Sequence, residues 1–163
     1  MFSRSQGSLE KIENKSSFFF YTVAVLLLFT ATAKAMSFFG NNTRYLSEPD
    51  PLFNEFSSFF VTSLAITLEI VVVICLFLLH SVQVKAFLLL WLSTCFVGYR
   101  IGIWYYYPTW SSCGCMGSFS EWTGLAEKTV DQISLFILIF MIAGSIITII
   151  LNYIVKSKKL FLV

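Results

Sequence analysis

Four apolar runs separated by polar stretches organise the chain. The first extends from Phe18 to Phe39 and is broken only by Lys34. The second, Ser57 to Leu79, is broken by Glu69, and the third, Ala86 to Tyr107, by Arg100. The fourth, Ile133 to Val155, carries no charge. Each run is about 20 residues or slightly longer, enough for a helix to cross roughly 30 Å of hydrocarbon. A helix satisfies its backbone within one segment, where lipid offers no partner for N–H or C=O. The pattern predicts an all-α, four-helix transmembrane bundle over residues 18–155, with spans at 18–39, 57–79, 86–107 and 133–155. A polar tail, 1–17, precedes it and a second, 156–163, follows. Pro49, Pro51 and Pro108 act as helix stops. Gly98, Gly102, Ala143, Gly144 and Ser145 are small enough to let helices approach closely.

One other reading competes at the N-terminus. A basic tail, an apolar core and "ATAKA" have the layout of a secretory signal with a cleavage site. The run nevertheless continues through Met36–Phe39 to spanning length, and Lys34 sits badly in a cleavage region. The expectation is an uncleaved span.

Composition supports a membrane protein. Hydrophobic residues make up 57% of the 163 and charged residues 12%, against about a quarter charged in soluble domains. A net charge of +2 gives no reason to expect nucleic-acid binding. Charge matters more by position. The tails carry Arg4, Lys11, Lys15, Lys156, Lys158 and Lys159, and the short second linker carries His80 and Lys85. The first and third loops are richer in acid: Glu48, Asp50 and Glu55 against Arg44, then Glu121, Glu127 and Asp131 against Lys128. The positive-inside rule then predicts both termini cytoplasmic, with the first and third loops outward. Trp104, Tyr105, Tyr106, Tyr107 and Trp110 would form an aromatic belt at the outward end of the third span. The sequon at Asn41 also falls outside, but so short a pattern is common by chance.

The third loop holds "SSCGCMGS", residues 111–118. Cys113 and Cys115 flank one glycine on the face where disulfides persist. Such a pair closes a small, strained ring, and strained disulfides are the labile or catalytic ones. Gly114 supplies the backbone freedom such a ring needs. As a structural staple the pair would restrain almost no loop entropy. Zinc needs about four ligands and only two are here, with His80 expected on the opposite face, so the chain by itself is expected to hold no metal and a metal site would need a second chain. Thiol exchange and inert packing both remain open on the motif alone. Cys75 and Cys95, within spans, read as small apolar residues.

Lys34, Glu69 and Arg100 each interrupt a different span. Charges in hydrocarbon are costly and usually face the bundle interior in pairs. Helical rise puts Lys34 and Arg100 roughly 8–10 Å below the outer end and Glu69 about 18 Å below its own. A Glu69–Arg100 link with Lys34 nearby is the expected arrangement. Its role is either to fix helix register or to handle protons or polarise a bound quinone.

Taken together, Ala-Lys late in the first span, Glu in "LEIVVVICLFLL", "YRIGIW" late in the third and "CGCMGSF" before the fourth resemble the MauE/DoxX superfamily. The likeness is to its redox-associated membrane proteins, which carry a Cys-x-Cys-hydrophobic-Gly motif in this loop. The family-like positions are Lys34, Glu69, Arg100, Cys113, Cys115 and Gly117. Met116 stands where Phe or Leu is more usual, and the loop after Tyr45 is long and idiosyncratic. The resemblance implies thiol redox work at a bacterial inner membrane. MauE is associated with maturation of a disulfide-rich dehydrogenase subunit beside a thioredoxin-like partner, and the DoxX branch with quinone-linked sulfur oxidation. The expected function is thiol–disulfide exchange through Cys113 and Cys115 with a thioredoxin-like or other periplasmic thiol protein, with quinone as a candidate electron carrier. The rival is a non-catalytic subunit that packs, in contact with lipid, within a larger membrane complex.

Overall fold

The computed structural model describes residues 3–36, 38, 49–106, 124 and 126–160. Four helices make up the fold: α1 (Ser3–Met36), α2 (Ser58–Leu78), α3 (Val82–Tyr106) and α4 (Glu127–Leu160). No strand occurs among the described residues, only an isolated antiparallel bridge between Pro49 and Ser57. Each helix contains a segment long and apolar enough to cross a membrane: Ser16–Met36, Ser58–Leu78, Val82–Tyr106 and Lys128–Ile154. The protein is an integral membrane protein.

Three helices outrun the apolar patches that announced them. α1 starts at Ser3, inside the stretch read as a tail, and α4 starts at Glu127, six residues before Ile133. α3 starts at Val82, so most of the second linker is helical. Hydropathy records the thickness of the hydrocarbon and not where the backbone stops winding. Gly124, at φ 66°, provides the left-handed turn before α4. Ser57 caps α2, its hydroxyl accepting from the Phe60 N–H at 3.3 Å. Only residues 79–81 join α2 to α3, which makes the two antiparallel neighbours.

The helices form a ring in chain order. α3 packs most closely on α4 and α1 on α2, while α2–α3 and α1–α4 contacts close the circuit. The core comes from one stripe on each: Phe20, Val23, Ala24 and Leu27 of α1, Val72, Val73 and Leu76 of α2, Ala86, Leu89 and Leu92 of α3, and Met141 of α4. These recur at three- and four-residue spacing, the helical face. The outward faces are apolar too, with Val25, Ile74, Phe87, Phe136 and Ile147 exposed, as lipid contact requires. α1 therefore belongs to the bundle.

Small residues do not all act alike. A Cβ built on Gly144 of α4 would run into the Phe19 ring of α1, and one on Gly102 would come within 2.8 Å of Leu52. Gly98 has nothing within 4 Å, so it is not a close-approach site. Gly144→Leu should destabilise the bundle by about 1–3 kcal/mol through overpacking. Gly98→Ala should be neutral or stabilising by up to about 1 kcal/mol. Thermal unfolding of the two variants in detergent measures both.

Candidate functional site

The end of the bundle formed by the C-termini of α1 and α3 and the N-termini of α2 and α4 holds nearly all the buried charge. In an α-helix the Cα–Cβ bonds tilt toward the N-terminus. Side chains of antiparallel α1 and α2 therefore converge. Lys34, in the last turn of α1, leans down the bundle, and Glu69, midway along α2, leans up toward it. Their charged ends meet at 2.5 Å, Nζ to Oε1, with the side chains 9% and 2% exposed. The cation also lies near the C-terminal, partly negative end of its own helix. Thr30, one turn before Lys34, donates its hydroxyl to Leu27 O at 3.0 Å and to Glu69 Oε1 at 3.3 Å. Across the bundle the Phe96 ring of α3 takes the Lys34 ammonium over its face, 4.8 Å from the centroid.

Arg100 follows Phe96 by one turn of α3, about 6 Å along the axis. It pairs with the Asp131 carboxylate on α4. Its Nη2 also donates to the Asp131 backbone O at 3.1 Å. The expected Glu69–Arg100 link is thus corrected: Glu69 pairs with Lys34 and Arg100 with Asp131. Each charge finds its partner on the helix packed most closely against its own. Asp131 had read as a solvent-loop residue, but the early start of α4 places it in that helix's first turns.

A third polar contact lies nearby. Asp50, 2% exposed, accepts from the Tyr99 hydroxyl at 2.8 Å. Its other oxygen accepts from the N–H groups of Leu52 and Phe53 at 2.9 and 3.0 Å, an Asp-initiated turn. Phe53 stacks on the Tyr99 ring, so the segment before α2 is pinned to α3 beside Arg100. Sequence reasoning missed Thr30, Asp50, Tyr99 and Asp131. Two of them had a usable signal: Thr30 is four residues before Lys34 on the same face, and Asp50 sits in a Pro-Asp-Pro turn.

The four charged groups form two neutral pairs. Polar atoms remain over: among the described residues, Glu69 Oε2 and Arg100 Nη1 are buried and have no hydrogen-bond partner. The arrangement can hold helices in register, and it can offer one acceptor and one donor to a small polar group. No cluster of three or more metal-ligating side chains occurs among the described residues.

Cys113, Cys115 and Gly117 lie outside the described residues, as do Tyr107, Trp110 and the Asn41 sequon. In the sequence, Cys113, Cys115 and Gly117 fall between Tyr106, the last residue of α3, and Glu127, the first of α4. Trp104, Tyr105 and Tyr106, at the C-terminus of α3, are each more than two-thirds exposed. Cys75 is half-buried in α2 and Cys95 exposed on α3, both as free thiols.

The family model of methylamine utilisation protein MauE matches residues 14–151, which take in the first three spans and most of the fourth. No curated protein and no solved structure matches the chain.

Proposed function

The chain belongs to the MauE family, and on that footing we propose that it is a membrane thiol–disulfide exchange protein working through Cys113 and Cys115. The observation that carries the proposal is the Cys-Gly-Cys spacing in the segment between α3 and α4. A pair so spaced makes a poor staple and a good exchanger.

The thiolate of one cysteine attacks a disulfide sulfur of a partner protein, forming a mixed disulfide and releasing a partner thiolate. The second cysteine attacks the mixed bond, closing Cys113–Cys115 and freeing the partner as a dithiol. The partner gains two electrons and the pair loses two; running backwards, the same steps oxidise the partner. A thioredoxin-like or other extracytoplasmic thiol protein fits this role. A quinone fits as the membrane partner that takes or returns the two electrons. Arg100, through Nη1, and Glu69, through Oε2, are the residues that would hold it.

Changing Cys115 to Ala leaves Cys113 without a second thiol to resolve the mixed disulfide. That variant should accumulate a reducible cross-link through Cys113, identifiable by mass spectrometry. No cross-link from either single-cysteine variant would remove the mechanism and favour the interaction-subunit reading.

Orientation belongs to the same proposal. The basic tails and the Lys85 linker support cytoplasmic termini and an outward Cys-Gly-Cys segment, in a bacterial inner membrane. An impermeant thiol reagent should label Cys113 from outside intact cells. Labelling only after the cytoplasm is opened would reverse the topology.

A further inference from the structure

At the opposite end of the bundle from the ion pairs, α1, α2 and α3 leave a crevice between them. Ser17, Phe20, Tyr21 and Ala24 of α1 line one side, Leu76 and Phe77 of α2 the next, and Lys85 of α3 the last. The crevice begins at the boundary of the hydrocarbon. Ser16 opens the first span, Leu78 closes the second and Val82 opens the third. It therefore runs from the headgroup layer about two turns into the bilayer, Ser17 to Ala24 being roughly 10 Å of helix. Tyr21 and Phe77 meet edge to face, with centroids 5.8 Å apart, and form an aromatic wall.

Lys85 is the notable group. It is half-buried, and among the described residues it pairs with no carboxylate. Its ammonium lies over the face of Phe20, 5.7 Å from the centroid. A long basic side chain at a helix end normally reaches into water, whereas this one lies against the Phe20 ring and lines the crevice. In the sequence, Lys11 and Lys15 precede the first span together with Glu10 and Glu13, and Lys156, Lys158 and Lys159 follow the fourth with no acid beside them, so the flanking sequence at this end is net positive.

We propose that this crevice binds an anionic phospholipid, with the phosphate held by Lys85 and the Ser17 hydroxyl and the start of an acyl chain lying against Phe20, Ala24 and Phe77. Basic pockets between transmembrane helices are the usual receptors for acidic headgroups. A free phosphate would meet the cation but leave the apolar wall unused. A zwitterionic lipid brings its own cation to Lys85.

The test uses the full chain in detergent, with native mass spectrometry counting bound lipid during titration with phosphatidylglycerol or phosphatidylcholine of matched chains. One phosphatidylglycerol should bind in preference to phosphatidylcholine. Lys85→Ala should weaken that binding about fivefold, the effect of one interfacial cation. Lys85→Arg should keep it, and so serves as the folded control. Equal binding of the two lipids by the unaltered protein would overturn the proposal. So would an unchanged phosphatidylglycerol affinity in Lys85→Ala. If inorganic phosphate competes as well as the lipid does, the site is an anion site and the lipid assignment falls.

Discussion

Glu69→Ala should destabilise the protein by about 3 kcal/mol, the largest stability loss expected of any single substitution here. It removes a carboxylate from a buried ammonium, and breaking a buried pair from one side typically costs about 3–5 kcal/mol. The lower figure applies because an unfolded chain held in lipid keeps some polar partners. Removing both charges with similar volume, Lys34→Met with Glu69→Leu, should recover most of the loss, since a well-packed apolar pair is often as stable as an ionic one. The check is a double-mutant cycle on thermal or denaturant unfolding in detergent. Coupling of Glu69 with Lys34 should exceed about 1 kcal/mol, and coupling of Glu69 with Arg100 should be smaller. The reverse order would contradict the pairing in the structure. If the double variant folds but loses exchange with its thiol partner, the charges do more than hold α1 to α2.

Replacing either cysteine of the pair should have the largest functional effect. Cys113→Ser and Cys115→Ser should each abolish turnover of a disulfide substrate, because the cycle needs one thiol to attack and another to resolve. Cys75→Ser and Cys95→Ser, within α2 and α3, should keep full turnover. Turnover is followed by the rate at which the membrane fraction oxidises or reduces a thioredoxin-like substrate. Full activity in Cys113→Ser would rule the pair out.

Architecture was largely legible in the sequence because lipid imposes one rule on every span: a run of about 20 apolar residues must be helical. Helix ends were less so. The polar turns Glu127–Gln132 and Val82–Lys85 carry no hydropathy signal, yet nothing in them stops a helix. That misjudgement hid Asp131, and with it the partner of Arg100. The three intramembrane charges stood out because charge in hydrocarbon needs a reason. Which charges meet depends on which helices touch, and helical rise along single segments does not supply that. Rise gives depth without azimuth, so it cannot tell Lys34 from Arg100 as the partner of Glu69. Asp50 and Tyr99 were invisible for the same reason: they lie 49 residues apart and meet only once the segment before α2 folds against α3.

The redox potential of the Cys113–Cys115 pair tests the central claim most directly. It can be measured on the purified full-length protein by equilibration across thiol–disulfide buffers, followed by alkylation and mass spectrometry. A working exchange pair should titrate reversibly as a two-electron couple well above the roughly −300 mV typical of structural disulfides. A potential at or below that value, or two thiols that stay reduced in every buffer, would contradict thiol exchange.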